Sequence, residues 1–267
     1  MNNLHRDLAP ISDEAWGQIE EEAARTFKRH LAGRRVVDVI GPEGLEFSAV
    51  GTGRVSAIDP PGDGVRARLR TVSPVVELRA PFTLSRDEVD DVARGAQDAD
   101  WQPVKDAARQ IAFAEDGAIF EGYPAASIEG IRQGSSNPPV ILPADVREYP
   151  AAIAQALSQL RVAGVDGPYS VLLGAEAYTE VSETSDHGYP VIQHIKRLLT
   201  GEIIWAPAMT GAVVLTTRGG DFSLHLGQDL SIGYLSHTET EVTLYLEETL
   251  TFAMLTSEAA VGCTPAS

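Results

Sequence analysis
The chain has 267 residues and a formal net charge of -17, from 21 Lys+Arg against 38 Asp+Glu. At this length roughly 70–75% of the unfolded surface can be buried, so no disulfide or metal is needed to hold one large domain or two joined ones. The charge repels phosphate backbones and argues against a nucleic-acid partner, while the single cysteine, Cys263, excludes an intrachain disulfide and fits a reducing cytoplasm.

The first residues, Met1 to Asp7, lack the apolar core of a secretory leader, and no apolar run approaches membrane-spanning length. A cytoplasmic protein without a membrane span is expected. Ser12 can cap a helix from Asp13, with Asp13 and Glu14 at its positive end. Trp16, Ile19, Ala23, Phe27 and Leu31 recur at helical spacing, and Gly33 is expected to stop the helix. Arg25, Lys28, Arg29, His30, Arg34 and Arg35 crowd its end; they fit dipole compensation on a solvated face, or contact with a partner.

Residues 46–72 read as two extended arms around the turn Asp59-Pro60-Pro61-Gly62-Asp63-Gly64. In the second arm Val65, Ala67 and Leu69 alternate with Arg66, Arg68 and Arg70. A two-stranded ribbon alone is marginal in water and must pack on its own domain or on a neighbouring subunit. A short helix is expected over 85–94, and a longer one from Asp100 to Glu121 with Pro103 in its first turn. Val104, Ala108, Ile111, Ala112, Ala118 and Ile119 give that helix a buried side. Residues 133–139, rich in Gly, Ser and Pro, form the best internal boundary.

Beyond Leu142 helices and strands alternate. Helices are expected around Ile153 to Leu160, at 176–183 and at 191–199. Strands are expected at 169–173, 203–205, 213–216, 222–226, 232–237 and 242–246, with Leu250, Phe252 and Met254 closing. Strands gathered late in the chain, with helices on one side, indicate an α+β fold.

The chemistry-bearing motifs are sparse. Gly51-Thr52-Gly53 begins like a dinucleotide fingerprint, but no third glycine or helix follows. Ser182, Asp186 and His187 can be drawn as a triad, yet the last two are adjacent in an expected loop. His187 and His194 are seven apart, with Pro190 between them and no third metal ligand nearby. His237-Thr238-Glu239 lacks the later cysteine pair of a zinc deaminase. The residues offer no active site, and the expectation is that the chain is not an enzyme.

Several blocks recur in one order along the chain: Arg6-Asp7-Leu8-Ala9-Pro10 with Trp16, Gly33-Arg34-Arg35-Val36-Val37-Asp38-Val39, Pro81-Phe82-Thr83-Leu84 and Ile119-Phe120-Glu121-Gly122. Gly167-Pro168-Tyr169, Gly188-Tyr189-Pro190 and the run from Arg218 to Tyr234 complete the set. With these blocks, from Asn3 to about Glu258, the sequence resembles type 1 encapsulin shell proteins. That family includes linocin-like proteins and a mycobacterial culture-filtrate antigen, and is related to HK97-type phage capsids.

The resemblance implies an α+β, HK97 phage capsid-like fold in successive parts. Residues 1–42 would be the N-terminal helix and start of the P-domain, 43–75 the E-loop hairpin lying across a neighbour, and 76–141 the P-domain with its spine helix. Residues 142–217 would be the A-domain, and 218–267 the return to the P-domain. Members assemble as homo-oligomers into hollow icosahedral shells, roughly sixty copies in the smallest closure. They enclose cargo enzymes through C-terminal targeting peptides. Dye-decolourising peroxidase is the first cargo implied and a ferritin-like protein the second. The implied peptide groove combines Phe27, Leu31, Arg34 and Asp38 with Asp229, Leu230 and Ile232, and the implied pore loop is Thr184, Ser185, Asp186, His187, Gly188 and Tyr189. Some members hold a flavin through an aromatic residue after Phe82-Thr83-Leu84. Here the turn reads Ser85-Arg86-Asp87-Glu88, so no cofactor is expected, and no metal. The shell would be a cytoplasmic nanocompartment, with release to the medium without a signal peptide as a further route. The competing expectation is a non-assembling hydrolase or a bacteriocin-like secreted protein.

Overall fold
The computed structural model describes residues 3–266; residues 1, 2 and 267, at the ends of the first and last expected parts, lie outside the described residues. In chain order the elements are α1 (Asp13–His30), β1 (Asp38–Ile40), β2 (Ala49–Ile58), β3 (Ala67–Pro74), β4 (Val76–Ser85), α2 (Arg86–Ala93), α3 (Gln102–Phe120), α4 (Ile131–Gly134) and β5 (Val140–Leu142). They continue with α5 (Tyr149–Val162), β6 (Tyr169–Leu173), α6 (Ala175–Glu183), β7 (Ser185–Asp186), β8 (Tyr189–Pro190) and α7 (Val191–Leu198). The last strands are β9 (Ile203–Trp205), β10 (Ala212–Thr216), β11 (Phe222–Leu226), β12 (Ser231–His237), β13 (Glu241–Met254) and β14 (Ala260–Pro265).

Two five-stranded sheets organise the molecule. The first runs β1-β11-β13-β12, with β4 also paired to β13; the second runs β5-β14-β10-β6-β9. β4 is a strand that the sequence expectations omit. Its residues Ala80, Phe82 and Leu84 are buried while Glu77, Arg79 and Pro81 face out, the period-2 pattern of a half-buried strand. Pro81 is accommodated because β4 pairs only with β13, from Val76↔Leu250 to Ser85↔Glu241, so the missing N–H falls on an edge. α1 and α3 cover this face, joining Trp16, Ile19, Phe27, Val104 and Ile111 to Phe82, Leu84, Leu244 and Leu246 in one core.

The start of α1 follows from its cap: Ser12 Oγ accepts from Ala15 N at 3.2 Å, with Asp13 and Glu14 in the first turn. Its end differs from expectation. The helix stops at His30, Leu31 is already extended, and Gly33 opens a separate 3-10 turn, Gly33–Arg35. Glycine is needed there for close approach: a Cβ on Gly33 would lie 2.5 Å from Ile119 Cδ1 and 2.9 Å from Asp116 Oδ1.

In the second sheet β6 and β10 are buried throughout, and α5, α6 and α7 pack beside them over Ile153, Leu157, Val181 and Ile195. β14 also lies in this sheet, antiparallel to β10 and parallel to β5. The last residues of the 218–267 segment thus join the second sheet, with Ala260, Val261 and Cys263 buried against β10. No helix among the described residues is long and apolar enough to cross a membrane.

β2 and β3 form a separate two-stranded ribbon whose base joins the first sheet, through residues 41–48 beside β11 and through Val75 into β4. Val55 pairs with Arg70, Ser56 with Leu69, Ala57 with Arg68 and Ile58 with Ala67. Val55, Ile58, Leu69 and Val72 are about half exposed, so the ribbon has apolar side chains with no core of its own chain to enter.

Candidate functional site
α1 and the turn entering β12 face each other across a groove. Phe27, Leu31, Arg34, Asp229 and Leu230, together with Ala24, Lys28 and Arg35, line a cavity of about 470 Å³. A second hollow of about 290 Å³ shares Ala24 and Leu230 and adds Ile232, Leu4, Arg6 and Glu20. The fold thus brings six of the seven expected groove residues together from opposite ends of the chain. Phe27, Leu31 and Ile232 are 5%, 9% and 5% exposed, so they form walls that are also core, while Leu230 is the accessible apolar contact.

Asp38 is the exception, and its place in the groove is corrected. It begins β1, which runs parallel to β11, and its Oδ2 accepts a hydrogen bond from Gly220 N at 2.6 Å. It lines a separate cleft of about 190 Å³ with Thr216, Gly219 and Phe222. Arg34 sits in the 3-10 turn Gly33–Arg35, whereas Asp38 starts β1, and pairing of β1 with β11 holds it at the other cleft.

Arg34 is committed to the protein's own carboxylates. Its Nε and Nη2 donate to Glu115 at 2.9 and 2.6 Å, Nη1 to Asp229 at 2.8 Å, and Nη2 also to Glu248 at 3.2 Å. The Phe27 ring lies 5.0 Å from its Cζ. Burial alone would lower the Arg34 pKa, but hydrogen bonds and charge from Glu115 and then Asp229 raise it above the usual arginine value. Glu115 and Glu248 are fully buried. Burial, then the neighbouring Glu115 charge, pushes Glu248 well above the usual carboxylate range against the pull of Arg34. Two buried carboxylates around one cation cannot both ionise cheaply, which is the physical cause of the upward shift at Glu248. Asp116 beside them accepts from Ala32 N and Gly33 N, each at 2.8 Å, yet burial pushes it up to about 7.

Asp229 ties this cluster to the groove wall. Its Oδ1 also accepts from Leu230 N at 2.8 Å, and Ser231 Oγ donates to its carbonyl at 2.7 Å. Glu115, Asp116 and Glu248 are missing from the sequence-based set. Their signal was available: Glu115 falls four residues after Ile111 on the apolar stripe, and Glu248 shares the strand register of Leu246 and Leu250. Among the basic residues at the end of α1, Arg25 pairs with Glu22, Arg35 pairs with Glu202 at 2.5 Å, and Lys28 lines the groove.

The 184–190 segment is a two-residue hairpin rather than an open loop. Ser185 pairs with Pro190 and Asp186 with Tyr189. His187 and Gly188 occupy the turn with φ of 47° and 82°, the left-handed pair of a type I′ turn. Thr184 N donates to Glu180 O at 3.0 Å, and Thr184 O accepts from Val191 N at 3.0 Å. Tyr189 is gripped on both sides: His194 meets its ring at 4.7 Å, and the Arg197 Cζ lies 4.7 Å from its centroid. His187 is 96% exposed, with its Nε2 3.8 Å from Asp186 Oδ1. Ser182 Oγ donates instead to Tyr178 O at 2.7 Å, so the drawn triad is not assembled. Among the described residues no group of three or more His, Cys, Asp or Glu could hold a metal ion.

Comparison with known proteins follows the same lines. The Linocin_M18 family, described as "Encapsulating protein for peroxidase", matches residues 1–251. The chain is 65% identical to a type 1 encapsulin shell protein of Rhodococcus erythropolis, over 98% of this chain and 99% of that protein. It is 64% identical to the type 1 encapsulin shell protein of Mycobacterium tuberculosis, with the same coverage. A virus-like particle from Pyrococcus furiosus superposes with a TM-score of 0.65 at 16% identity, over 93% of this chain and 98% of that one. The fold is α+β and of the HK97 capsid type, as the sequence resemblance implies.

Proposed function
The chain belongs to the Linocin_M18 family of encapsulating proteins, and from that premise we propose that it is the shell subunit of a cytoplasmic compartment that encloses a cargo enzyme. The observation that carries assembly is the β2–β3 ribbon, whose half-exposed Val55, Ile58, Leu69 and Val72 find no core within their own chain. A second copy supplies the surface on which such a ribbon becomes stable. Size-exclusion chromatography with negative-stain microscopy tests this directly: closed hollow shells are expected, and a monomer ends the reading.

The groove beside α1 is the seat for the cargo's C-terminal targeting peptide. Its apolar floor supplies affinity, and Lys28, Arg35 and Asp229 at its rim fix the register of an extended chain. The buried Arg34 cluster holds the wall in shape and is not itself free to pair with a peptide charge. A peroxidase, of the dye-decolourising type, is the cargo first proposed; a ferritin-like protein is the second. Each peptide loses chain entropy on docking, so filling relies on cargo oligomers that present several tails to many equivalent grooves. Leu230→Asp places a carboxylate where both hollows meet, without touching a fully buried position. Shells of this variant are expected to form but to co-purify with cargo reduced by about tenfold or more, since desolvating an unpaired carboxylate is costly. Normal loading measured by gel densitometry removes the groove from the proposal.

The 184–190 hairpin is proposed to line a pore. Repeated around a symmetry axis, Asp186 becomes an acidic ring and His187 a ring of exposed imidazoles.

A further inference from the structure
The groove wall is fastened from behind by charges that do not balance. Arg34 Nη2 lies 2.6 Å from Glu115 Oε2 and 3.2 Å from Glu248 Oε2, while Nη1 reaches Asp229 Oδ1 at 2.8 Å. Three carboxyl groups thus surround one guanidinium, and two of them, Glu115 and Glu248, are fully buried. Asp229 is half exposed and keeps its charge in water, whereas two buried charges beside one cation are costly.

The elements packed around Glu248 supply no second cation among the described residues. Glu248 stands on β13, with Glu115 facing it from α3, Arg34 from the turn after α1, and Asp229 from the turn before β12. Asp116, next to Glu115 on α3, engages both oxygens with Ala32 N and Gly33 N. Arg79 pairs with Glu247, which the pleat of β13 turns to the opposite face. Glu248 Oε1 is buried without a hydrogen-bond donor, and its carboxyl lies within hydrogen-bonding reach of that of Glu115. Ionised carboxylates only accept, so a contact between the two is satisfied by a proton on one of them.

We infer that Glu115 and Glu248 hold one proton between them and, through Arg34 and Asp229, act as positioning residues for the groove wall, so that docking of a peptide is coupled to that proton. This rests on the groove reading and names its regulation. With the proton held, one buried carboxylate balances Arg34, whose Nη1 stays on Asp229. Three wall residues hang on that arrangement. The Phe27 ring lies 5.0 Å from Arg34 Cζ, Asp229 bonds Nη1, and Leu230 N donates to Asp229 Oδ1 at 2.8 Å. Loss of the proton sets two full charges against Arg34 in a dry setting. Drawing Arg34 inward or admitting water relieves them, and either loosens Asp229 and Leu230. Burial, then the Glu115 charge, raises Glu248 above the usual carboxylate range, so the ordered wall belongs to the acid side and is lost as pH rises. By reciprocity, a peptide that docks at alkaline pH draws one proton from solvent.

A pH profile tests the coupling. A fluorescent peptide copied from the C-terminal tail of a peroxidase cargo is equilibrated with cargo-free shells from about pH 6 to pH 9, the upper end being where buried glutamates titrate. Kd for the wild type is expected to rise toward the alkaline end by up to about tenfold per pH unit, the slope of one coupled proton. Glu248→Gln offers its amide oxygen to Arg34 and its N–H to Glu115, as a protonated Glu248 does, and its profile is expected to be flat. Glu115→Gln also leaves a single ionisable carboxyl beside Arg34, so it is expected to flatten the profile too and serves if the first variant misfolds by circular dichroism. All three chains carry Asp116→Asn, which silences the neighbouring carboxyl. Amide exchange over residues 227–232, compared between chains at equal pH, reads the wall without any peptide: it should be faster in the wild type at the alkaline end alone. A flat wild-type profile, Gln variants with the wild-type slope, or exchange that never parts from theirs overturns the coupling. A peptide that binds at no pH overturns the groove reading instead, and the exchange comparison still decides the proton.

Discussion

Gly33 and Asp116 are neighbours that decide how α1 hands over to the rest of the chain. The Asp116 carboxylate receives both Ala32 N and Gly33 N, and only a residue without Cβ lets that backbone lie against Ile119. Gly33→Ala is expected to destabilise the subunit by roughly 1–3 kcal/mol through overpacking, measured as a lower urea midpoint with an unchanged slope. Asp116 adds a pH dependence whose sign follows from its raised pKa. Burial lifts it from 3.8 to about 7, so its contribution to stability is fullest below about pH 4 and is lost as pH rises to about 7. Asp116→Asn has no proton to lose there. Across that interval the stability difference should therefore move in favour of the asparagine variant by something on the order of 4 kcal/mol, then stay level. Paired urea titrations between about pH 4 and pH 8 read this difference; a constant gap would mean that Asp116 is ionised throughout.

At the level of elements, the β2–β3 ribbon and the helices around it have separable tasks. α1, α3 and the first sheet share one core, to which the ribbon contributes nothing beyond its base at Val75, where Val75 N meets Ser48 O at 2.9 Å. Removing residues 55–69 should therefore leave subunits that unfold cooperatively but do not assemble, seen as an intact thermal transition without particles under the microscope. The β7–β8 hairpin is equally local. Its turn is set by His187 and Gly188 and its position by Tyr189 between His194 and Arg197, so a charge change at its tip should not reach the core. Periodicity revealed α1, α3, α5 and both ribbon arms because each carries its pattern over two or more turns or several alternations. It missed β1, β4, β5 and β14, each of which is held by a partner strand far along the chain.

For the molecule as a whole, the proposed pore carries the last prediction. Asp186→Lys turns an acidic ring into a basic one, and cargo turnover of small anionic substrates should rise severalfold at low salt while shells remain intact. Identical kinetics for anionic and cationic substrates would place the hairpin away from any route of entry. By itself the sequence determined the fold class and the order of its parts. Helical stripes, alternating strands and the Pro-Pro tip are local patterns, and the motif blocks from Arg6 to Tyr234 preserve their order without reference to contacts. It also brought forward Phe27, Leu31, Arg34, Asp229, Leu230 and Ile232, all of which meet at the groove. Only the tertiary structure decided that Asp38 belongs to another cleft, that β14 joins the second sheet, and that Arg34 is held by Glu115, Glu248 and Asp229. Each of these depends on pairing between residues remote in sequence. Burial turns a charge that looks solvated in a linear pattern into one that must find a partner or keep its proton, and burial is a property of the packed molecule.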